Sequence, residues 1–335
     1  MKAPDVDERV AGFLDERIRP RGGAAVTVVP LAGDASTRRY YRVAHGSVRQ
    51  VLALYPEPFE TERLSFAVVR GLLDGWGIPV PQIRDHDGAR GILLLEDLGD
   101  LTLQELLREA GASRREDLYR EAVDGLVRLQ REAARGAQAA DCFRIAFDVE
   151  KLSWELHYFE KHFLEGLRGC ELTVEDRATL AAAFHRLTEE LAGWPRVLCH
   201  RDYHSRNLML HAGRLYWIDF QDARLGPATY DLASLLRDSY VELAEEFVAE
   251  RAEEFRRKAL PGEDRGAFLR RFELTCVQRN LKALGTFGYM STVRGSSVYL
   301  PYIPRTLEHA RRNLDRYPEL APLRRVLARH LEELR

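Results

Sequence analysis

The chain has 335 residues, of which 50 are basic and 52 acidic, with a formal net charge of −2. A single core stops growing at about 250–300 residues, so this length predicts two lobes with separate cores. The balanced charge, without a long basic block, excludes a global field for DNA, RNA or an anionic membrane.

Cys142, Cys170, Cys199 and Cys276 are widely separated and form no Cys-x-x-Cys pair, which argues against a zinc site or a disulfide scaffold. Asp5, Asp7 and Glu8 stand where a signal peptide would be basic and then apolar, and no stretch approaches the ~20 apolar residues of a membrane span. A cytoplasmic protein with reduced thiols is expected. The 45 arginines against five lysines read as coding bias rather than as a site.

Helical spacing of Val6, Val10, Phe13, Leu14 and Ile18 predicts an amphipathic helix over 5–18. Strands are predicted at Ala25 to Leu31, Arg39 to Val43 and Arg49 to Tyr55, joined by turns at Gly33 and His45-Gly46-Ser47, which implies an antiparallel meander. A helix over 60–74 follows, then short strands at 82–85 and 91–95 around an Asp87-Gly88 turn. The segment Glu96 to Asp100 is the candidate hinge, dividing a first lobe, 1–99, from a second, 100–335. Beyond it helices are predicted at 102–110, 114–134, 150–168 and 173–191, a β island at 197–219, and helices to the end. A β-rich front and a helix-rich back define an α+β, bilobal architecture.

The most informative stretch is His200-Arg201-Asp202-Tyr203-His204-Ser205-Arg206-Asn207, followed by an apolar hairpin turning at His211 to Arg214 and ending in Ile218-Asp219-Phe220. Phosphoryl transfer from a nucleotide needs a carboxylate beside the attacking hydroxyl and oxygen ligands that hold Mg2+ against the phosphates. Asp202 supplies the first, in a catalytic loop over 200–207. Asn207 and Asp219 supply the second, Asp219 from a metal-binding segment over 216–222. His200 is read as structural. Asp231, where a loop enters an apolar helix, is read as an N-cap or a buried partner for loop amides.

These segments resemble the aminoglycoside phosphotransferase (choline/ethanolamine kinase-like) superfamily, through HRDYHSRNLML at 200–210, YWIDFQDARLGPATYDLASLL at 216–236 and LLLEDLG at 93–99. GDASTRRYYRV at 33–43, RNLKALGTFGY at 279–289 and YIPRTLEH at 302–309 resemble the branch that phosphorylates N-acetylmuramate and N-acetylglucosamine on the anomeric hydroxyl in cell-wall recycling. The resemblance implies a protein kinase-like fold, with a small antiparallel β-rich N-lobe and a larger, mainly helical C-lobe. It also implies ATP, with GTP left open, and Mg2+, a small-molecule acceptor, and adenine contacts from backbone groups near Glu96 and Leu98. Other acceptors of this superfamily, namely aminoglycosides, choline and homoserine, stay open, as does a non-catalytic nucleotide-binding module.

One departure from the protein kinase plan is plain: no lysine lies between Lys2 and Lys151, so a front-lobe lysine cannot grip the phosphates. Arg38, Arg39 or Arg42 is expected to replace it, since a guanidinium binds phosphate oxygens bidentately, with Ser36 and Thr37 assisting from the preceding turn. Strand alternation sets Arg38 and Arg42 on one face and Arg39 on the other. For the acceptor, the candidates are His204, Arg279, Lys282, Tyr302 and Arg305, with the Gly295-Ser296-Ser297 loop as a lid; an acceptor carboxylate would favour Arg or Lys there.

Overall fold

The computed structural model describes residues 7–19, 25–31, 38–136 and 139–335. Ser36 and Thr37, with Gly33 of the same turn, lie outside the described residues. The chain divides into two compact units, Met1–Leu101 with Met209–Gln221, and Thr102–Leu208 with Asp222–Arg335.

The first unit is built on a five-stranded antiparallel sheet in the order β1-β2-β3-β5-β4, from β1 (Val26–Leu31), β2 (Arg39–His45), β3 (Val48–Leu54), β4 (Ile83–Asp87) and β5 (Ile92–Glu96). The predicted meander is present. Strand alternation buries Tyr41, Val43, Leu52, Leu54, Ile92 and Leu94 with Val10, Phe13 and Leu14 of α1 (Glu8–Arg17), leaving Tyr40 and Arg42 on the opposite face. Asp7 caps α1 by accepting from Arg9 N at 3.0 Å. The predicted helix after β3 starts late, as a turn at Thr61–Arg63 and then α2 (Ser65–Gly75).

A hairpin, Met209–Gln221, also belongs to this unit, although it follows the 200–207 loop in sequence. Its attachment is specific: Leu210 N donates to Leu101 O at 2.9 Å, Trp217 N to Pro79 O at 2.8 Å, and the buried Phe220 ring lies 4.9 Å from Phe66.

The second unit is mainly helical: α3 (Leu103–Glu109), α4 (Ala112–Arg135), α5 (Val149–Phe159), α6 (Val174–Gly193), α7 (Tyr230–Leu236), α8 (Glu245–Ala259), α9 (Arg265–Thr292), α10 (Ile303–Leu314) and α11 (Ala321–His330). The helix predicted over 150–168 is α-helical only to Phe159 and continues as a π-helix over Glu160–Leu167. Its core joins Phe147, Leu156, Phe159, Phe184, Leu281, Leu284 and Leu307. The β island comprises β6 (Arg196–Cys199), β7 (Leu208–His211) and β8 (Arg214–Trp217), to which the structure adds β9 (Arg224–Pro227), antiparallel to β6. No helix among the described residues is long and apolar enough to cross a membrane.

α9 packs against α5 and its π-helical extension through two glycines. A Cβ on Gly285 would stand 2.8 Å from Phe159 N, and one on Gly288 only 2.2 Å from His162 O. Only a residue without a side chain lets two backbones approach so closely.

Candidate active site

The loop 200–207, which carries Asp202 and Asn207, is held from several directions. Asp231, buried in the first turn of α7, accepts from the backbone N–H of His200 at 2.6 Å and of Arg201 at 2.9 Å. The N-cap of α7 is Thr229, so Asp231 acts as the partner of the loop amides. Burial pushes its carboxyl up to about 7, against the pull of those two N–H groups and Arg279. Arg201 has φ +87°, an unusual backbone for a residue with a Cβ, stabilised by this pair of bonds and by Arg279 Nη1 donating to Arg201 O at 2.7 Å. Asp238 accepts from Ser205 N at 2.8 Å, and the buried Tyr203 donates to Ala122 O at 2.9 Å. Arg206 lies in a tyrosine cage, 4.1 Å from the Tyr240 ring centre and 5.0 Å from that of Tyr302, and donates to Tyr302 Oη at 3.0 Å.

Within this frame Asp202 turns its carboxylate to two cations. Lys282 Nζ, on α9, is 2.8 Å from Oδ1, and Arg201 Nε is 3.6 Å from Oδ2. Burial opposes ionisation, but Lys282, Arg201 and Arg279 together hold the carboxyl well below the usual range. Asn207 donates from Nδ2 to Asp202 O at 2.8 Å, which fixes the amide and leaves its carbonyl oxygen as a ligand atom. Burial takes the His204 imidazole down to about 3, so it is neutral. Asp222 pairs with Arg201 at 2.9 Å, and Arg305 donates to Ser239 O at 3.1 Å.

In the first unit Asp219 sits at φ +62°, between the buried Trp217 and Phe220. Anchoring side chains on both sides force the turn, which Asp tolerates better than most residues, and leave its carboxylate about half exposed. Its Oδ1 accepts from Gln221 Nε2 at 2.8 Å and lies 3.6 Å from Arg38 Nη2. Of the three candidate arginines, Arg42 is committed to Asp97 at 2.8 Å and Asp100 at 2.9 Å, and Arg39 to Asp7. Arg38 is the one directed at Asp219. Glu96 faces its own sheet, accepting from Gln82 N and Arg84, and Leu98 O accepts from His211 Nδ1 at 3.3 Å.

Among the described residues no group of three His, Cys, Asp or Glu side chains is poised for a metal. Mg2+ in a nucleotide site asks for less, since one or two protein oxygens complete a shell made of phosphate and water. In the first unit Asp219 offers a carboxylate oxygen of this kind, and in the second the Asn207 amide offers a carbonyl oxygen.

The sequence reading did not single out Lys151 or Trp154 on α5, the Arg206 cage, or Asp238. For Lys151 a signal existed: a chain that uses arginine 45 times places a lysine there.

An antiparallel sheet followed by a helical unit that carries His-x-Asp-x4-Asn defines a kinase-like small-molecule phosphotransferase. The chain belongs to the phosphotransferase enzyme family, whose model matches residues 27–269. It is 37% identical over 302 residues to a Neisseria meningitidis protein named N-acetylmuramate/N-acetylglucosamine kinase, covering 88% of each chain. It is 36% identical to a Pseudomonas aeruginosa protein of the same name, over 90% of this chain and 88% of that one. Among solved structures, a choline/ethanolamine kinase family protein from Mesorhizobium loti superposes with a TM-score of 0.61 at 16% identity, covering 98% of both chains, which shows the shared protein kinase-like fold.

Proposed function

We propose that this protein is an ATP- and Mg2+-dependent kinase that phosphorylates the anomeric hydroxyl of N-acetylmuramate and N-acetylglucosamine. The observation that carries the reading is the 37% identity, over 88% of both chains, to a relative bearing that name. Asp202 supports it physically. With Lys282 and Arg201 already on its two oxygens, its surroundings repel a polycationic aminoglycoside or a quaternary ammonium, whereas a neutral or acidic sugar meets no such penalty.

In this reading Asp202 accepts the proton of the anomeric hydroxyl as the new bond from that oxygen to the γ-phosphorus forms and the bond to the ADP oxygen breaks. A carboxylate held so strongly ionised is a weak base, and a hemiacetal hydroxyl, more acidic than a simple alcohol, suits it. Asn207 and Asp219 would supply oxygen ligands to Mg2+, and the ion would neutralise phosphate charge. Arg38 contributes the charge that a front-lobe lysine supplies elsewhere. Backbone groups near Glu96 and Leu98 receive the adenine.

ATP consumption over a panel of N-acetylmuramate, N-acetylglucosamine, choline, homoserine and kanamycin tests the proposal. Turnover is expected with the two sugars, and Asp202→Ala lowers it by roughly 10²–10⁴-fold while nucleotide binding persists. Turnover confined to kanamycin, choline or homoserine overturns it.

A further inference from the structure

Only five lysines occur in the chain, and two of them, Lys151 and Lys282, belong to one neighbourhood of the second unit. Lys282 is committed to Asp202. Lys151, at the start of α5, has a different setting. Its ammonium lies 4.0 Å from the Trp154 ring centre and 3.7 Å from Glu155 Oε1, beyond hydrogen-bond reach. Glu155 is itself buried and tied to α9, where Gln278 Nε2 donates to its Oε2 at 2.9 Å, one helical turn before Lys282. Burial lowers the Lys151 pKa against the pull of Glu155, and Arg201, Arg224 and Lys282 add repulsion.

An aromatic surface continues from this lysine. Trp154 is 54% exposed, unusual for so large an apolar ring, and stacks on Tyr158 at 5.0 Å. Tyr158 in turn meets Tyr289 of α9 at 5.6 Å. The notches at Gly285 and Gly288 bring α5 and its extension onto α9 closely enough for these rings to meet. An exposed aromatic wall beside a cation under electrostatic pressure from its neighbours is suited to a sugar that carries a carboxylate. The wall accepts the apolar face of the ring, and the ammonium, whose present counter-charge Glu155 stands beyond hydrogen-bond reach, gains a directly bonded one.

We propose that Lys151 binds the carboxylate of an acidic acceptor sugar while Trp154 and Tyr158 form the wall against which the sugar ring lies. Lys151 thereby sets the preference between N-acetylmuramate, which bears a lactyl carboxylate, and N-acetylglucosamine, which does not. This inference rests on the proposed function and adds the residues that read the substituent.

The test is the ratio of kcat/KM for N-acetylmuramate to that for N-acetylglucosamine, measured for wild type, Lys151→Met and Lys151→Arg. Because each ratio comes from one preparation, it is independent of the fraction of folded enzyme. Loss of a charge-assisted contact lowers the ratio about tenfold or more in Lys151→Met, and Lys151→Arg restores it to within about threefold of wild type. A wild type active on both sugars, with the Lys151→Met ratio within about twofold of its own, overturns this inference alone. A wild type active on neither sugar overturns the proposed function, and this inference with it.

Discussion

Lys282 Nζ stands 2.8 Å from Asp202 Oδ1, an ion pair that joins α9 to the 200–207 loop. The sequence offers Lys282 as an acceptor contact, and the structure places its ammonium on the Asp202 carboxylate. Since both groups are mostly shielded from solvent, the pair fixes where Asp202 points as well as its charge. Lys282→Met is expected to lower kcat about 10–100-fold, the worth of a hydrogen bond to a charged group, with nucleotide affinity within about threefold of wild type. An unchanged kcat in steady-state assays would show that Arg201 positions Asp202 alone.

The three front-unit arginines separate by their partners. Arg38→Ala is expected to weaken Mg-nucleotide binding about tenfold or more, because its charge lies at Asp219. Arg39→Ala, which loses a pair with Asp7, binds nucleotide normally. Arg42→Ala leaves the buried Asp97 without its cation and costs stability, about 1–3 kcal/mol, more than affinity. Calorimetric titration with nucleotide and thermal melts of the three variants check this; equal affinity in all three would remove Arg38 from the phosphate site.

The 200–207 loop stands out in the sequence because its polar residues are contiguous. Asp202 and Asn207 are five residues apart and touch through Asn207 Nδ2 and Asp202 O. The β1-β2-β3 meander was legible too, since period-two burial and short turns link these strands, whereas the pairing of β3 with β5, across the intervening α2, was not. The sequence could not choose among Arg38, Arg39 and Arg42, because the acids that capture Arg42 lie more than fifty residues away, at Asp97 and Asp100. Nor could it find β9, whose Gly226-Pro227 reads as a loop and which becomes a strand only through pairing with β6. The π-helical turn after Phe159 escaped for the same reason. Apolar periodicity does not report a neighbouring helix pressed against glycine backbone.

Two glycines of similar appearance should respond in opposite ways. Gly288→Ala drives a Cβ to 2.2 Å from His162 O, where only backbone can yield, and is expected to cost at least about 2 kcal/mol. Gly71→Ala, within α2 and with nothing within 4 Å of the added methyl, is expected to stabilise by about 0.5–1 kcal/mol through helix propensity. Urea denaturation of both variants decides; a neutral Gly288→Ala would mean that the π-helical segment after α5 and α9 are not locked together at this point.

Acid sensitivity has a local source at His309, which is 5% exposed and has no hydrogen-bond partner on either ring nitrogen among the described residues. Burial, with Arg237 and Arg312 nearby, takes its pKa down from 6.5 to about 4. Below pH 6.5 the unfolded chain therefore binds a proton that the folded chain refuses, and stability falls as pH drops toward 4. The loss amounts to about 2 kcal/mol at pH 5. His309→Phe should flatten the decline in melting temperature between pH 6.5 and 5, and parallel curves for wild type and variant would contradict the assignment.

The most direct test of the central claim is the position of the transferred phosphate. After incubation of the enzyme with Mg-ATP and N-acetylmuramate, nuclear magnetic resonance of the product is expected to show phosphorus coupled to the anomeric proton and loss of the free reducing end. Phosphate at any other hydroxyl, with the reducing end intact, would contradict it.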